Sequence, residues 1–274
     1  MRLPRNSGWL PGPNFTLIIV RHGEGFHNLH TLSRSELEFT NDDYSRTLNS
    51  CLTEKGLFQA SLLGERLKDV KFDVAITSDL KRATQTAELI MKRNESIDRL
   101  KTWKTVRERC LGEFEGDVDL HRSLRIVENA VKDRDSLTFR PPGGESVHDL
   151  RGRMLHFLQE LQNEAIKISS KSPTILVSSH GLFMDELYHV LSEKEYSRNI
   201  PEKCPGYQNT GVAKYLFSIT TKNDSDISVN HVECPIRSCA IHLKDKDEKY
   251  EFCRGGCHGI PDEQVIKEMN DQPR

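Results

Sequence analysis

Residues Leu17–Asn28 read LIIVRHGEGFHN: an apolar run stops at Arg21-His22-Gly23-Glu24. With the residues just before it, the run is short and β-branched, has proline on one side and glycine on the other, and predicts a buried strand over Phe15–Val20. A strand of this kind delivers Arg21 and His22 together at its mouth. The same figure returns twice. FDVAIT (Phe72–Thr77) runs into Ser78-Asp79, with Arg82 one helical turn on, and PTILVS (Pro173–Ser178) runs into Ser179-His180-Gly181.

Between these strands the apolar spacing turns helical. Thr53 is a good N-cap for a helix to Val70 with the stripe Leu57, Ala60, Leu63 and Leu67. Leu80, Ala83, Ala87 and Ile90 mark a second helix, and Val147, Leu150, Met154, Phe157, Leu161 and Ala165 a long amphipathic third. A fourth begins near His180, and VAKYLFSI (Val212–Ile219) reads as another strand. Such alternation predicts an α/β fold, a three-layer α/β/α sandwich on a mostly parallel central sheet. The charged stretch between Lys92 and Pro142 has no clear period and reads as an irregular or helical excursion over the active site. The expected division is an extension over 1–14, one domain over 15–220, and a tail over 221–274 that belongs to the same domain or is partly disordered, with edge strands around Val229–Glu233 and Cys239–Leu243.

Charge narrows the partners. The 39 basic and 41 acidic residues nearly cancel among 274, so no global field attracts nucleic acid or an anionic membrane. No apolar run reaches the roughly 20 residues of a membrane span, and MRLPRNSGWLPGPNFT has no apolar segment of signal-peptide length before its prolines. A cytoplasmic protein is expected. The 7 cysteines are then read as thiols. In the tail, Cys234, Cys239, Cys253 and Cys257, with nearby histidines, are numerous enough for a structural zinc ion, but their gaps are wider than those of compact zinc motifs.

Ligands of open α/β sheets collect at the carboxyl ends of the strands. Taken alone, His22 or His180 is a hydrogen-bonded structural group, and Arg82 a solvated helix residue or a partner of Glu88. Together, Arg21, His22, Arg82 and His180 would meet on one rim without a matching carboxylate cluster, which suits a dianion such as phosphate.

RHGE after the first strand, TSDLKRATQTAELI after the second, PPGGES before the long helix and VSSHG resemble the histidine phosphatase (phosphoglycerate-mutase-like) superfamily, in that order, over about Phe15–Phe217. The resemblance implies that His22 is the nucleophile and carries a phosphohistidine intermediate, which needs a neutral ring. It implies that Arg21, Arg82 and His180 hold the phosphoryl oxygens, that Asn28 contacts phosphate, and that Gly23 lets the backbone come close to the nucleophile. The proton donor to the leaving alcohol falls on Glu108 in RERCLGEFEG, beside the candidate substrate contact Arg109, with Glu113 and Glu115 as fallbacks. Gly25 departs from relatives that carry threonine or serine. The implied mechanism uses no metal or other cofactor.

Within the superfamily, FRPPGGES and GYQNTGVAKYLF are most similar to the TIGAR-type, fructose-2,6-bisphosphatase-like members. Arg140 stands where bisphosphatase domains read a second phosphate. Asp185 stands where they have a basic residue, which works against that reading. No phosphate loop of the kinase type occurs. The expected partner is a small phosphorylated metabolite, and the expected state a monomer or weak homodimer. Other readings are a broad-specificity or phosphotyrosine phosphatase, a phosphoglycerate mutase, or a catalytically silent scaffold.

Overall fold

The computed structural model describes residues 10–29, 49–114, 137–191, 207–223 and 226–238. Strand β1 (Leu10–Arg21) leads, after a 3-10 turn at Phe26–Asn28, to α1 (Glu54–Arg66), β2 (Val74–Thr77), α2 (Lys81–Met91) and the short β3 (Leu100–Thr102). Then come α3 (Val147–Lys167), β4 (Thr174–Ser179), α4 (Gly181–Leu191), β5 (Val212–Asn223) and β6 (Asp226–Ser238). The six strands form one sheet in the order β3-β2-β4-β1-β5-β6. The first four of that order run parallel, and β5 and β6 complete one side through antiparallel pairing.

Alternation along β1 builds both halves of the core. Phe15, Leu17 and Ile19 pack with Met154, Phe157 and Leu161 of α3 and Phe183 and Leu187 of α4. Ile18 and Val20 face the other way, onto Leu63 of α1 and Ile90 of α2. Because successive side chains of a strand point to opposite faces, the apolar run is filled on both sides, and the molecule has three layers. The Ser146 side chain accepts from Asp149 N while Asp149 reaches back to Ser146 N at 2.8 Å, a capping box that starts α3 directly after the Pro-Gly-Gly turn. No described helix is long and apolar enough to cross a membrane.

Several expectations are revised. β1 starts at Leu10, ahead of Phe15, and pairs with β5 as far as Leu10↔Thr221; its register slips between Pro11 and Asn14, where proline has no N–H to offer. β3 lies inside the stretch read as excursion, and its three residues are too few to show a period. α1 ends at Arg66, and Leu57 is 40% exposed, so the buried face of that helix is Gly56, Ala60 and Leu63, without Leu57. The edge strand expected around Val229–Glu233 is part of the longer β6, and the one expected around Cys239–Leu243 lies outside the described residues.

Two glycines join α1 to the loop after β1. A Cβ on Gly23 would strike the carbonyl of Gly56, and a Cβ on Gly56 would strike the carbonyl of Glu24. The loop is tied there by Thr53 N to Glu24 O at 2.9 Å and by Glu24 N to Gln59 Oε1 at 2.8 Å. Gly56→Ala should therefore overpack backbone against backbone and cost about 1–3 kcal/mol. That corresponds to a thermal midpoint lower by roughly 2–4 °C per kcal/mol; an unchanged midpoint would show that this contact is soft.

Candidate active site

Register brings the chemistry to one edge. Arg21 lies opposite Ser179 across β1 and β4, and Thr77 opposite Ser178 across β2 and β4, so the three strands end level with one another. His22, Ser78 and His180 are the next residues out. His22 is 1% exposed, Arg82 2% and His180 0%.

Hydrogen bonding determines the state of His22. Its Nδ1 lies 2.6 Å from the Gly23 carbonyl oxygen, which can only accept, so Nδ1 carries the proton. Its Nε2 lies 3.1 Å from Arg82 Nε, which can only donate, so Nε2 holds a lone pair. The ring is therefore neutral, with its nucleophilic nitrogen turned toward a guanidinium. Burial pushes the His22 pKa well below the usual histidine range, and Arg82, His180, His27 and Arg21 push it further the same way. The Gly23 carbonyl is itself held in place: Gly23 N donates to Thr86 Oγ1 at 3.1 Å, and that hydroxyl donates to Arg82 O at 2.7 Å. Gly23 thus serves the approach of α1 as well as the nucleophile, and the clearance it provides is toward Gly56.

Around this ring stand donors with no acceptor among the described residues. His180, its centroid 5.1 Å from that of His22, has neither ring nitrogen hydrogen-bonded among the described residues. Arg21 donates through Nη1 to the Tyr207 carbonyl, while its buried Nε has no partner among the described residues. Burial lowers the Arg21 pKa, and the nearby carboxylates Glu108 and Asp185 oppose that effect. Buried donors without partners are costly, and an anionic oxygen satisfies them.

Asn28 borders the site. Its Oδ1 accepts from Gly25 N at 3.0 Å and from Asn209 Nδ2 at 3.4 Å, so its amide nitrogen is the end available to a ligand. Asn209 also donates to the His22 carbonyl at 3.1 Å, from a turn whose next residue, Thr210, takes a positive φ of 59°. A left-handed threonine is strained. It is held by bonds from Thr210 N to Arg21 O at 3.0 Å and His22 O at 3.2 Å.

Glu108 sits at the start of α4. Its carboxylate accepts from Leu182 N at 3.2 Å and Phe183 N at 3.1 Å, orphan donors of the helix's first turn, and from Arg109 N at 2.9 Å. Its backbone is clamped by Arg153, which donates to the carbonyls of Thr105, Arg107 and Glu108 at 2.8–3.1 Å and to both oxygens of Glu145. The neighbouring Arg107 is paired with Asp79. Arg153 does not stand out in the sequence; an arginine on the polar side of an amphipathic helix looks like any solvated residue. Glu145, Thr86 and Asn209 lie inside PPGGES, TSDLKRATQTAELI and GYQNTGVAKYLF, but the motifs alone assign them no role, although a threonine on the buried stripe of α2 is a signal of back-bonding to residue i−4.

Two expected substrate contacts are engaged elsewhere. Arg109 donates to Glu145 O at 2.9 Å and Phe139 O at 3.3 Å, tying the loop before α3. Arg140 pairs with Asp149 at 2.6 Å, its side chain 62% exposed. The fallback Glu113 is exposed, and Glu115 lies outside the described residues. Cys239, Cys253 and Cys257 also lie outside them; among the described residues no group of three or more His, Cys, Asp or Glu is placed to hold a metal ion.

The rim gathers buried arginine and histidine side chains around a neutral imidazole at a strand end. Residues 17–218 match the model of the histidine phosphatase superfamily (branch 1), and the chain belongs to that superfamily. A 2,3-bisphosphoglycerate-dependent phosphoglycerate mutase of Bartonella henselae is 33% identical over 172 residues, 61% of this chain and 76% of the relative. Fructose-2,6-bisphosphatase TIGAR of Xenopus tropicalis is 30% identical over a gapped alignment of 278 positions that covers 84% of this chain and 95% of the relative. Mycobacterial glucosyl-3-phosphoglycerate phosphatase shares the fold at a TM-score of 0.59 and 22% identity, over 74% of this chain and 91% of that one. The family supports a phosphatase or mutase role for this chain.

The buried imidazoles make stability depend on pH. An unfolded histidine titrates near pH 6.5. Folded His22 and His180 titrate well below that, so between the two values the unfolded chain binds more protons than the folded one. Stability should therefore fall as the pH drops below about 6.5, continuing down to the folded pKa. Thermal midpoints in phosphate-free buffer should decline from about pH 7.5 to about pH 5.5, and His180→Gln should flatten the decline. Equal slopes for the two proteins would show that His180 is not a source of it.

Proposed function

We propose that this chain is a phosphomonoesterase that hydrolyses a small phosphorylated metabolite through a phosphohistidine on His22. The observation that carries the reading is the His22 tautomer: a protonated Nδ1 on the Gly23 carbonyl leaves Nε2 as the nucleophile, beside the unpartnered donors of His180 and Arg21.

The substrate phosphoryl group enters between these donors, and Arg82 moves its Nε–H from His22 Nε2 to a phosphoryl oxygen. The Nε2 lone pair forms the N–P bond as the P–O bond to the leaving alcohol breaks, in line. Arg21, Arg82 and His180 offset the charge on the non-bridging oxygens. Glu108, in its protonated form, gives its proton to the departing oxygen after releasing one of its amide bonds. Water then attacks phosphorus, Glu108 takes a proton from it, the N–P bond breaks, and inorganic phosphate leaves with His22 restored.

The resemblance to TIGAR, spread over 84% of the chain, favours a fructose-2,6-bisphosphatase-like substrate. The second reading, a monoesterase acting on phosphorylated metabolites more broadly, is favoured by Asp185, whose charge acts on Arg21 and repels a second phosphate there, and by Arg140, which is paired with Asp149. Turnover of fructose bisphosphates against phosphoglycerates, phosphoenolpyruvate and a phosphotyrosine peptide separates the two. Release of an isomerised ester in place of inorganic phosphate would mark a mutase.

His22→Ala should abolish formation of an acid-labile phosphoprotein in single-turnover labelling, and labelling that persists would overturn the assignment of the nucleophile. Glu108→Gln should slow hydrolysis of alkyl phosphates by roughly 10²–10⁴-fold and spare activated aryl phosphates, whose leaving groups need little protonation. Equal losses on both would remove Glu108 as the donor.

A further inference from the structure

Arg153, on α3, takes no part in the steps above, yet all of its donors converge on the turn that carries Glu108. A guanidinium has five N–H donors in a rigid planar fork. Nη1 donates to Thr105 O at 3.0 Å and Arg107 O at 2.8 Å. Nη2 donates to Glu108 O at 3.1 Å and Glu145 Oε2 at 2.8 Å, and Nε to Glu145 Oε1 at 2.9 Å. Those bonds use every donor, so none is left for a phosphate or a substrate hydroxyl. Between Thr105 and Glu108 the chain curls its carbonyls around one cation.

Glu145 completes the grip from the other side of Glu108. Its Oε2 accepts from Cys110 N at 3.0 Å, and its own N donates to Cys110 O at 2.8 Å. Burial works to raise the Glu145 pKa, but the bonds from Arg153 and Cys110 N outweigh it and hold the carboxyl below its usual range. Arg153 also lies over the ring of Phe183, 5.8 Å from its centroid, and Phe183 N is one of the amides that hold the Glu108 carboxylate. One guanidinium thus meets Glu108 at both ends, its carbonyl directly and its carboxylate through Phe183. The loop is already tied to the sheet by Ser179 Oγ to Val106 O at 2.8 Å. Partly buried ion pairs are weak sources of stability; a planar fork on three carbonyls is a strong source of orientation.

We propose that Arg153, oriented by Glu145, is the positioning residue for the proton donor: it sets where the Glu108 carboxyl stands relative to the leaving oxygen and makes no contact with substrate. The inference rests on the phosphatase reading and on Glu108 as the donor in it. Binding of the phosphoryl group falls to Arg21, Arg82 and His180, so a change at Arg153 should act on protonation of the leaving group and spare phosphate affinity.

Arg153→Lys keeps the positive charge, which also acts on His180, and loses the fork. The readouts are kcat/KM on an alkyl phosphate, kcat/KM on p-nitrophenyl phosphate, and competitive inhibition by inorganic phosphate. On the alkyl ester kcat/KM should fall by roughly 10- to 100-fold, the cost of misplacing a reacting group by up to about an ångström. Turnover of the aryl ester and inhibition by phosphate should stay near the wild-type values. Combined with Glu108→Gln, Arg153→Lys should cost nothing further on the alkyl ester, because a donor that is gone cannot be misplaced. Glu145→Gln should give the same selective loss in milder form, and it reports on the grip should Arg153→Lys fail to fold. Equal losses on the two esters, a loss that multiplies with Glu108→Gln, or unchanged turnover of the alkyl ester would overturn the proposal. Wild-type protein that never forms phosphohistidine would defeat the phosphatase reading and this proposal with it; normal labelling of His22 alongside any of those three results would defeat the proposal alone.

Discussion

The bond from the His22 Nδ1 proton to the carbonyl of Gly23 decides which nitrogen of the ring can do chemistry. An imidazole free to choose its tautomer would spend part of its time with the wrong nitrogen protonated. Here the acceptor is backbone, and the backbone is anchored from two directions: by the Thr86 hydroxyl beneath Gly23 N and by the face of α1, where Gly23 and Gly56 meet without side chains. Helix α2 contributes twice to the same ring, since Thr86 and Arg82 are one turn apart on it and Thr86 bonds to the Arg82 carbonyl. The nucleophile is thus prepared by the packing of two helices on one face of the sheet.

The opposite face holds the proposed proton donor. Glu108 is held by the first amides of α4, and its loop by Arg153 from α3, so the candidate acid and the His180 that precedes α4 are placed by the same helical layer. Each layer of the sandwich would therefore contribute one half of the proposed reaction, and the strand register between β1 and β4 joins the two sets of residues. A shift of one residue in that register would turn every side chain of the strand to the other face and separate His22 from His180. The apolar filling on both sides of β1, by Leu17 and Ile19 on one and Ile18 and Val20 on the other, makes such a shift costly.

Strand ends were legible in the sequence because two physical signals coincide there: a β-branched run that must be buried, and polar groups that must not be buried without a purpose. That placed Arg21, His22, Arg82 and His180 together before any coordinates. Loop arginines were not legible in this way. Arg109 and Arg140 share the composition of ligand-binding residues, but whether such a guanidinium faces a substrate or a nearby carbonyl or carboxylate depends on the path of the chain, which has no period to read. The same holds for Arg153, which reads as a surface residue of α3 and proves to be the clamp of the Glu108 loop. Leu57 failed for a different reason: the first turn of α1 packs through Gly56 against the loop after β1, while the rest of the stripe, Ala60, Leu63 and Leu67, is buried as its spacing implies.

Charge placement argues for what the site must exclude. Arg21 is the cation with two carboxylates in reach, Glu108 and Asp185. Both carboxylates belong to the side of α4: Glu108 caps its first turn, and Asp185 lies within it. They weaken the positive field there, while Arg82 meets the His22 ring directly through Nε. In the proposed reaction the phosphoryl group meets His22, and any remainder of the substrate that projects toward α4 would meet these acidic residues, an arrangement that would favour hydroxyl groups there over a second anion.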